Sequence, residues 1–149
     1  MAIIMFNSIL VVCTGNICRS PIGERILKQL LPTMQVDSAG TAALIDHNAD
    51  NSAIKIAKKH GISLEGHKGK QFTAKLARNY DLILAMEKIH INQIEKIAPE
   101  ARGKTMLFGH WLENRDIPDP YRKSDEAFAS VFVLIQRSSQ LWVEKLIKA

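Results

Sequence analysis

Cys13 and Arg19 stand with five residues between them in "VVCTGNICRSP", a thiol closing an apolar run and a guanidinium just before a Ser-Pro pair. An ionised thiol is a nucleophile, and a planar guanidinium holds two oxygens of a phosphate-like anion at once. Gly15 lets the backbone between them turn its N–H groups inward, which predicts an anion-binding nest at a helix N-terminus. Such a field lowers a thiol pKa from roughly 8.5 to about 3.5–7.5, so Cys13 is expected as a thiolate facing a phosphate ester. Ser20 is placed to donate a hydrogen bond to that sulfur. The chemistry this predicts is attack on phosphorus and a phosphocysteine intermediate, with Arg19 and the amides stabilising the equatorial oxygens.

An ester oxygen leaves poorly as a bare anion, so the reaction needs a general acid on a loop near the nucleophile. "IPDPY" supplies Asp119 between two prolines that restrict the loop. The same carboxyl then activates water against phosphocysteine, and acid–base help of this kind is worth about 10²–10⁴ in rate. Each residue also has a plainer reading. A cysteine at a strand end is commonly a small core residue, and Asp beside Pro is ordinary turn chemistry. The combined pattern of strand, thiol, glycine, arginine and Ser-Pro favours the catalytic reading. His67 in "EGHKGKQ" is expected to pack a loop or face solvent, Lys58 and Lys59 to form a solvated helix face, and Trp111 and Trp142 to lie in the core.

These groups need a scaffold. "SILVVC" is a continuous apolar run, as in a strand buried on both faces. Ser20 as N-cap and Pro21 in the first turn predict a helix whose buried face carries Ile22, Ile26, Leu27 and Leu30, ending at Pro32. "QVDSAG", "YDLILAM" and "KTMLFG" read as further strands. "SAIKIAKKHG" reads as an amphipathic helix stopped by Gly61, and Lys88–Ile97 as another. A long last helix starts near Ser124 with Phe128, Val131, Phe132, Ile135, Trp142 and Leu146 as its buried stripe. Strands alternating with helices predict an α/β, three-layer domain, a parallel twisted sheet with helices on both faces. Ligands of such sheets bind beyond the carboxyl ends of the strands, where Cys13 lies.

Composition limits the partners. The chain has 149 residues, 46% hydrophobic and 23% charged, with a net charge of +5. That charge favours anionic partners, but no basic run is interleaved with aromatics, so nucleic acid is not expected. Cys13 and Cys18 are too few and too close for a disulfide framework, which predicts a reducing, cytoplasmic setting. The five histidines are scattered, so zinc and other metals are not expected, and the mechanism requires no cofactor. "MAIIMFNSILVV" lacks a basic leader and no run reaches the length of a membrane span, so no stable membrane insertion is expected. Met5 is a second candidate initiator besides Met1.

"VCTGNICRSP", "DSAGT", "DLILAM" and "IPDPY", in that order, resemble the low-molecular-weight protein tyrosine phosphatases from about Ser8 to the C-terminus. "LEGH", "NYDLILAMEK", "LFGHW" and "IPDPYRKS" are most similar to the bacterial type associated with capsule or exopolysaccharide export. The resemblance implies one phosphatase domain over residues 1–149 and a four-stranded sheet with the phosphate-binding loop after the first strand. It implies Cys13 as nucleophile, Arg19 as clamp and Asp119 as acid, with Thr14, Gly15, Asn16, Ile17, Cys18 and Ser20 forming or bracing the cradle. Cys18 matches the family's second loop cysteine, which protects the nucleophile by a reversible disulfide; a packed small residue is the other reading. Leu44 and Ile45 stand where many members carry an aromatic, which implies an aliphatic wall. Tyr121 is followed by Arg122 rather than a second tyrosine, which implies a more basic rim. The implied substrate is a phosphotyrosine protein, in such systems an autophosphorylating bacterial tyrosine kinase that controls polysaccharide export.

An enzyme and a transfer module that performs no hydrolysis are rivals on the same fold. An arsenate reductase needs further cysteines to relay oxidation, and none exists beyond Cys18. A phosphocysteine carrier has no use for an acid loop such as "IPDPY". A silent phosphotyrosine-binding module would be expected to lack Cys13 or Asp119.

Overall fold

A computed structural model describes residues 6–147; Met1 and Met5, the candidate starts, lie outside the described residues. Four strands, β1 (Ser8–Cys13), β2 (Gln35–Gly40), β3 (Leu82–Ala85) and β4 (Thr105–Leu107), form one sheet in the order β2-β1-β3-β4. Every pairing is parallel, with Cys13 opposite Gly40 and Val12 opposite Ala85. The strands are linked by α1 (Arg19–Leu30), α2 (Asn51–Lys59), α3 (Ala74–Ala77) and α4 (Lys88–Ile97), and α5 (Asp125–Ile147) closes the fold. Among the described residues no helix is long and apolar enough to cross a membrane.

Side-chain alternation along β1 builds the three layers. Ile9, Val11 and Cys13 join the core that α1, α2 and α5 cover, whereas Leu10 and Val12 join Ile83, Ala85, Phe72 and Ile94 beneath α4. β1 is thus apolar on both faces because both are covered. The α5 stripe from Phe128 to Leu146 is buried as its spacing predicts. Trp142 closes it, its indole N–H donating to the Phe108 carbonyl at 2.8 Å.

The chain leaves β1 toward β2 on one side and returns to β3 on the other. That reversal opens a crevice beyond the carboxyl ends of β1 and β3. Cys13 ends β1, and Glu87 follows β3 by two residues.

Several local expectations are corrected. Ser20 is not the N-cap of α1: the helix begins at Arg19, and Cys18 takes the cap position without a side-chain bond. The Ser20 hydroxyl goes to Cys13 instead. Leu30 is 40% exposed and off the buried face of α1. Trp111 is 38% exposed, lying edge-on to Trp142 beneath the Lys145 ammonium, a partly wet position suited to an indole with a cation over it. β3 and β4 are shorter than the apolar runs that announce them. α3 and a 3₁₀ turn over Pro99–Lys104 were not legible as apolar periodicity, being too short to show one. α2 is capped by Asp50, whose carboxylate accepts from the N–H groups of Ser52 and Ala53, and Gly61 lies just beyond it at φ 75°.

Candidate active site

The loop after β1 is held from outside. The carbonyls of Cys13, Thr14 and Gly15 accept from the N–H groups of Thr41, Ala42 and Leu44, each at 3.0 Å, and the Ile17 carbonyl accepts from Asp50 at 2.8 Å. The Asn16 carbonyl is 2.6 Å from His67 Nε2, which must carry the proton because a carbonyl cannot donate. With the carbonyls of residues 13 to 17 tied outward, the opposite N–H edges of those peptide planes, from Thr14 to Cys18, are left for the hollow. His67, expected to pack a loop, is a buried strut of this cradle, and burial pushes its pKa down.

Asn16 is the loop's internal brace. It sits at φ 59°, a left-handed conformation that asparagine tolerates better than most residues. Its Nδ2 donates to Ser20 Oγ at 2.8 Å and to Ser38 Oγ at 2.9 Å, while its Oδ1 accepts from the Lys70 N–H at 2.9 Å. Ser38 in turn donates to the buried Glu24 carboxylate at 2.8 Å. Each donor is therefore assigned along this chain. Ser20 Oγ already accepts from Asn16, so its own proton is free for Cys13 Sγ, 2.9 Å away.

Arg19 is only 2% exposed, yet it reaches the hollow. Its Nη1 donates to the Ile117 carbonyl at 2.7 Å and pairs with Glu87 Oε1 at 3.2 Å. Its Nη2 lies 3.8 Å from Asp119 Oδ2. Asp119 Oδ1 accepts from the Tyr121 N–H at 3.0 Å, a turn that fixes the carboxyl at the rim.

Cys13, Thr14, Gly15, Ile17, Cys18 and Arg19 line one cavity of about 220 Å³ together with Leu44, Asp119 and Tyr121. Asn16 and Ser20 are fully buried and stand behind the loop rather than on the cavity wall. Ile45, expected in the aliphatic wall, is 57% exposed and does not line the cavity; Leu44 supplies that side. Arg122 packs over the Tyr121 ring, 5.3 Å from its centroid. Cys13 and Cys18 are both free thiols, and burial, with Asp50 and Cys13 nearby, holds the Cys18 thiol protonated. Among the described residues no group of three His, Cys, Asp or Glu side chains converges as a metal site.

Sequence reasoning missed Glu87, Ser38 and Glu24. Glu87 had a signal, since it follows the apolar run of β3 and so sits at a strand's carboxyl end. Ser38 and Glu24 had none, because nothing local marks them as partners.

A cradle of amides with a buried guanidinium, a thiol in hydrogen-bond contact with a serine hydroxyl and a carboxyl at the mouth can bind a tetrahedral oxyanion and attack it. A family model described as low molecular weight phosphotyrosine protein phosphatase matches residues 8–149. A putative low molecular weight protein-tyrosine-phosphatase of Klebsiella pneumoniae is 72% identical over 142 residues, covering 95% of this chain and 99% of the relative. The Etp phosphatase of Escherichia coli K12 is 62% identical over 146 residues, covering 98% and 99%. The crystal structure of the tyrosine phosphatase Wzb from Escherichia coli K30 in complex with sulphate superposes with a TM-score of 0.94 at 64% identity, covering 95% of this chain and 99% of that one.

Proposed function

This chain belongs to the low molecular weight phosphotyrosine protein phosphatase family and is a protein-tyrosine-phosphatase, and we propose that it works through a phosphocysteine intermediate with Cys13 as nucleophile, Arg19 as clamp and Asp119 as acid and base. The observation that carries this is the meeting of all three side chains on one cavity. Cys13 Sγ attacks phosphorus as the ester P–O bond breaks, and the departing phenolic oxygen takes the Asp119 proton. Water then gives a proton to the Asp119 carboxylate and attacks phosphorus. The S–P bond breaks, and phosphate and the thiolate are released. Ser20 hydrogen-bonds the thiolate in both resting states, and the Arg19 guanidinium with the loop amides matches the charge on the equatorial oxygens. The sulphate complex of Wzb supports reading the hollow as a tetrahedral oxyanion site.

The whole chain acts as one phosphatase domain in this reading. Ile17, Leu44 and Tyr121 give the cavity apolar sides that suit a phenyl ring above the phosphate. The physiological substrate is an autophosphorylating bacterial tyrosine kinase that controls capsule or exopolysaccharide export, met in the cytoplasm. The motif resemblance and the Wzb relative support that partner, and Cys13 and Cys18 as free thiols suit that compartment.

Hydrolysis of aryl phosphates by Cys13→Ser and Asp119→Ala tests the mechanism. Cys13→Ser is expected to be inactive yet still bind oxyanions, and Asp119→Ala to be slowed most with poor leaving groups. Turnover by Cys13→Ser at the parent rate overturns it. For the partner, Cys13→Ser is expected to retain a phosphotyrosine-bearing kinase that the parent enzyme releases dephosphorylated.

A further inference from the structure

His90 lies outside the machinery described so far, yet it is completely buried beneath the loop's first residue. Its two ring nitrogens have unambiguous roles. The Glu87 backbone N–H points at Nδ1 from 3.1 Å, and an amide can only donate, so Nδ1 is the acceptor and carries no proton. The neutral ring therefore holds its proton on Nε2. Nε2 is 2.8 Å from Thr14 Oγ1, so it donates to that hydroxyl. One Thr14 lone pair is thereby occupied, and the hydroxyl proton must point away from the ring.

Thr14 lines the cavity with Cys13 and Asp119, and it is exposed where Cys13, Cys18 and Arg19 are buried. The equatorial phosphoryl oxygens are served deeper, by Arg19 and the loop amides. The apical oxygen lies at the mouth, on the side where Asp119 works. We propose that His90 is a positioning residue that fixes the Thr14 hydroxyl as a hydrogen-bond donor to the apical oxygen: the ester oxygen in the first step, the attacking water in the second. The inference rests on the phosphocysteine reading above. Nothing is transferred through His90; it assigns the direction of one hydroxyl.

A cycle of variants assayed on phenyl phosphate tests this. Thr14→Val is expected to lose about tenfold in kcat, the size of one hydrogen bond to a charged or reacting group. Thr14→Ser restores the hydroxyl and should recover most of that loss. His90→Asn keeps an acceptor near Nδ1 for the Glu87 N–H but cannot reach Thr14; His90→Gln reaches Thr14 but gives up the cap acceptor. The expected order is Gln above Asn in kcat and Asn above Gln in thermal stability, an inversion that a merely structural histidine would not produce. In the Thr14→Val background, His90→Asn should change kcat by less than about twofold, because contacting residues that act as one unit are not additive.

Equal kcat for Thr14→Val and the parent overturns the inference, as does an undiminished His90→Asn effect in the Thr14→Val background. The inactivity of Cys13→Ser is the separate control: if that variant turns over, the phosphocysteine reading fails and the inference falls with it. If Cys13→Ser is dead and Thr14→Val is unaffected, only the inference fails.

Discussion

Glu87 Oε1 lies 3.2 Å from Arg19 Nη1, on the same nitrogen that donates to the Ile117 carbonyl. The guanidinium is thus gripped along one edge by a carboxylate and a carbonyl, and its remaining N–H groups are aimed before any phosphate arrives. In the proposed mechanism, preorganisation of that kind spares the reaction the cost of ordering Arg19 around phosphate. Glu87→Ala should raise the inhibition constant for orthophosphate by about tenfold, the size of one charge-assisted hydrogen bond. Glu87→Gln, which keeps an acceptor, should lose less. Inhibition of aryl phosphate hydrolysis measures both.

Gly40 is opposite Cys13 at the end of β2, where an added Cβ would meet the Thr14 carbonyl oxygen and the Asn16 backbone nitrogen. Neither backbone atom can move without shifting the cradle. Gly40→Ala should destabilise the fold by about 1–3 kcal/mol and lower kcat/KM through the displaced cradle. Urea unfolding and steady-state kinetics on one preparation separate the two effects.

Acid should weaken the protein through buried histidines. Burial and the nearby Arg19 guanidinium lower the His90 pKa from 6.5 to about 4, against the opposing charges of Asp119 and Asp116. The unfolded chain then binds more protons than the native one between these values. The stability tied to neutral His90 is therefore complete above about pH 6.5 and lost as pH falls toward 4, by roughly 3 kcal/mol. His67 is shifted in the same direction by burial and adds to the slope. His90→Asn should flatten the dependence of the urea midpoint on pH between 7 and 4; an unchanged slope would contradict the assignment of His90 as neutral.

The two cysteines should behave differently. Burial and adjacent negative groups keep Cys18 protonated, so iodoacetamide at neutral pH should label Cys13 first, and phosphate should protect it. If Cys18 serves Cys13 by forming a disulfide that intercepts its sulfenic acid, Cys18→Ala should lose activity to peroxide irreversibly and faster than the parent. Equal rates after reductant is added would leave Cys18 as packing alone.

Asn16 couples folding to the site. Asn16→Ala removes an amide that spans Ser20, Ser38 and the Lys70 N–H, and it places alanine at φ 59°. A loss of about 2–4 kcal/mol is expected from buried groups left unpaired and from backbone strain. Ser20→Ala removes both the hydroxyl at Cys13 and the acceptor of one Asn16 amide proton, so it should cost activity together with about 1–3 kcal/mol of stability.

Features carried by neighbouring residues can be read before any folding is known. The apolar run ending in a thiol, the glycine turn, the arginine and the Ser-Pro pair lie within "VVCTGNICRSP", so loop and helix entry were legible together. The β–α alternation likewise fixes a parallel sheet, because two-residue and 3.6-residue periods are properties of short windows. Asp119 was legible because its prolines mark a rigid turn. The tertiary structure decided who partners whom. Thr14 meets His90 across 76 positions and Asn16 meets His67 across 51. Ser20, locally a plausible cap, turns its hydroxyl to the Cys13 sulfur and to the Asn16 amide instead of to a helix N–H. Such choices depend on which strand ends the crossover order brings to one crevice, and on the rule that each buried donor must find an acceptor there. Neither the crossover nor the accounting of donors exists until the sheet is assembled.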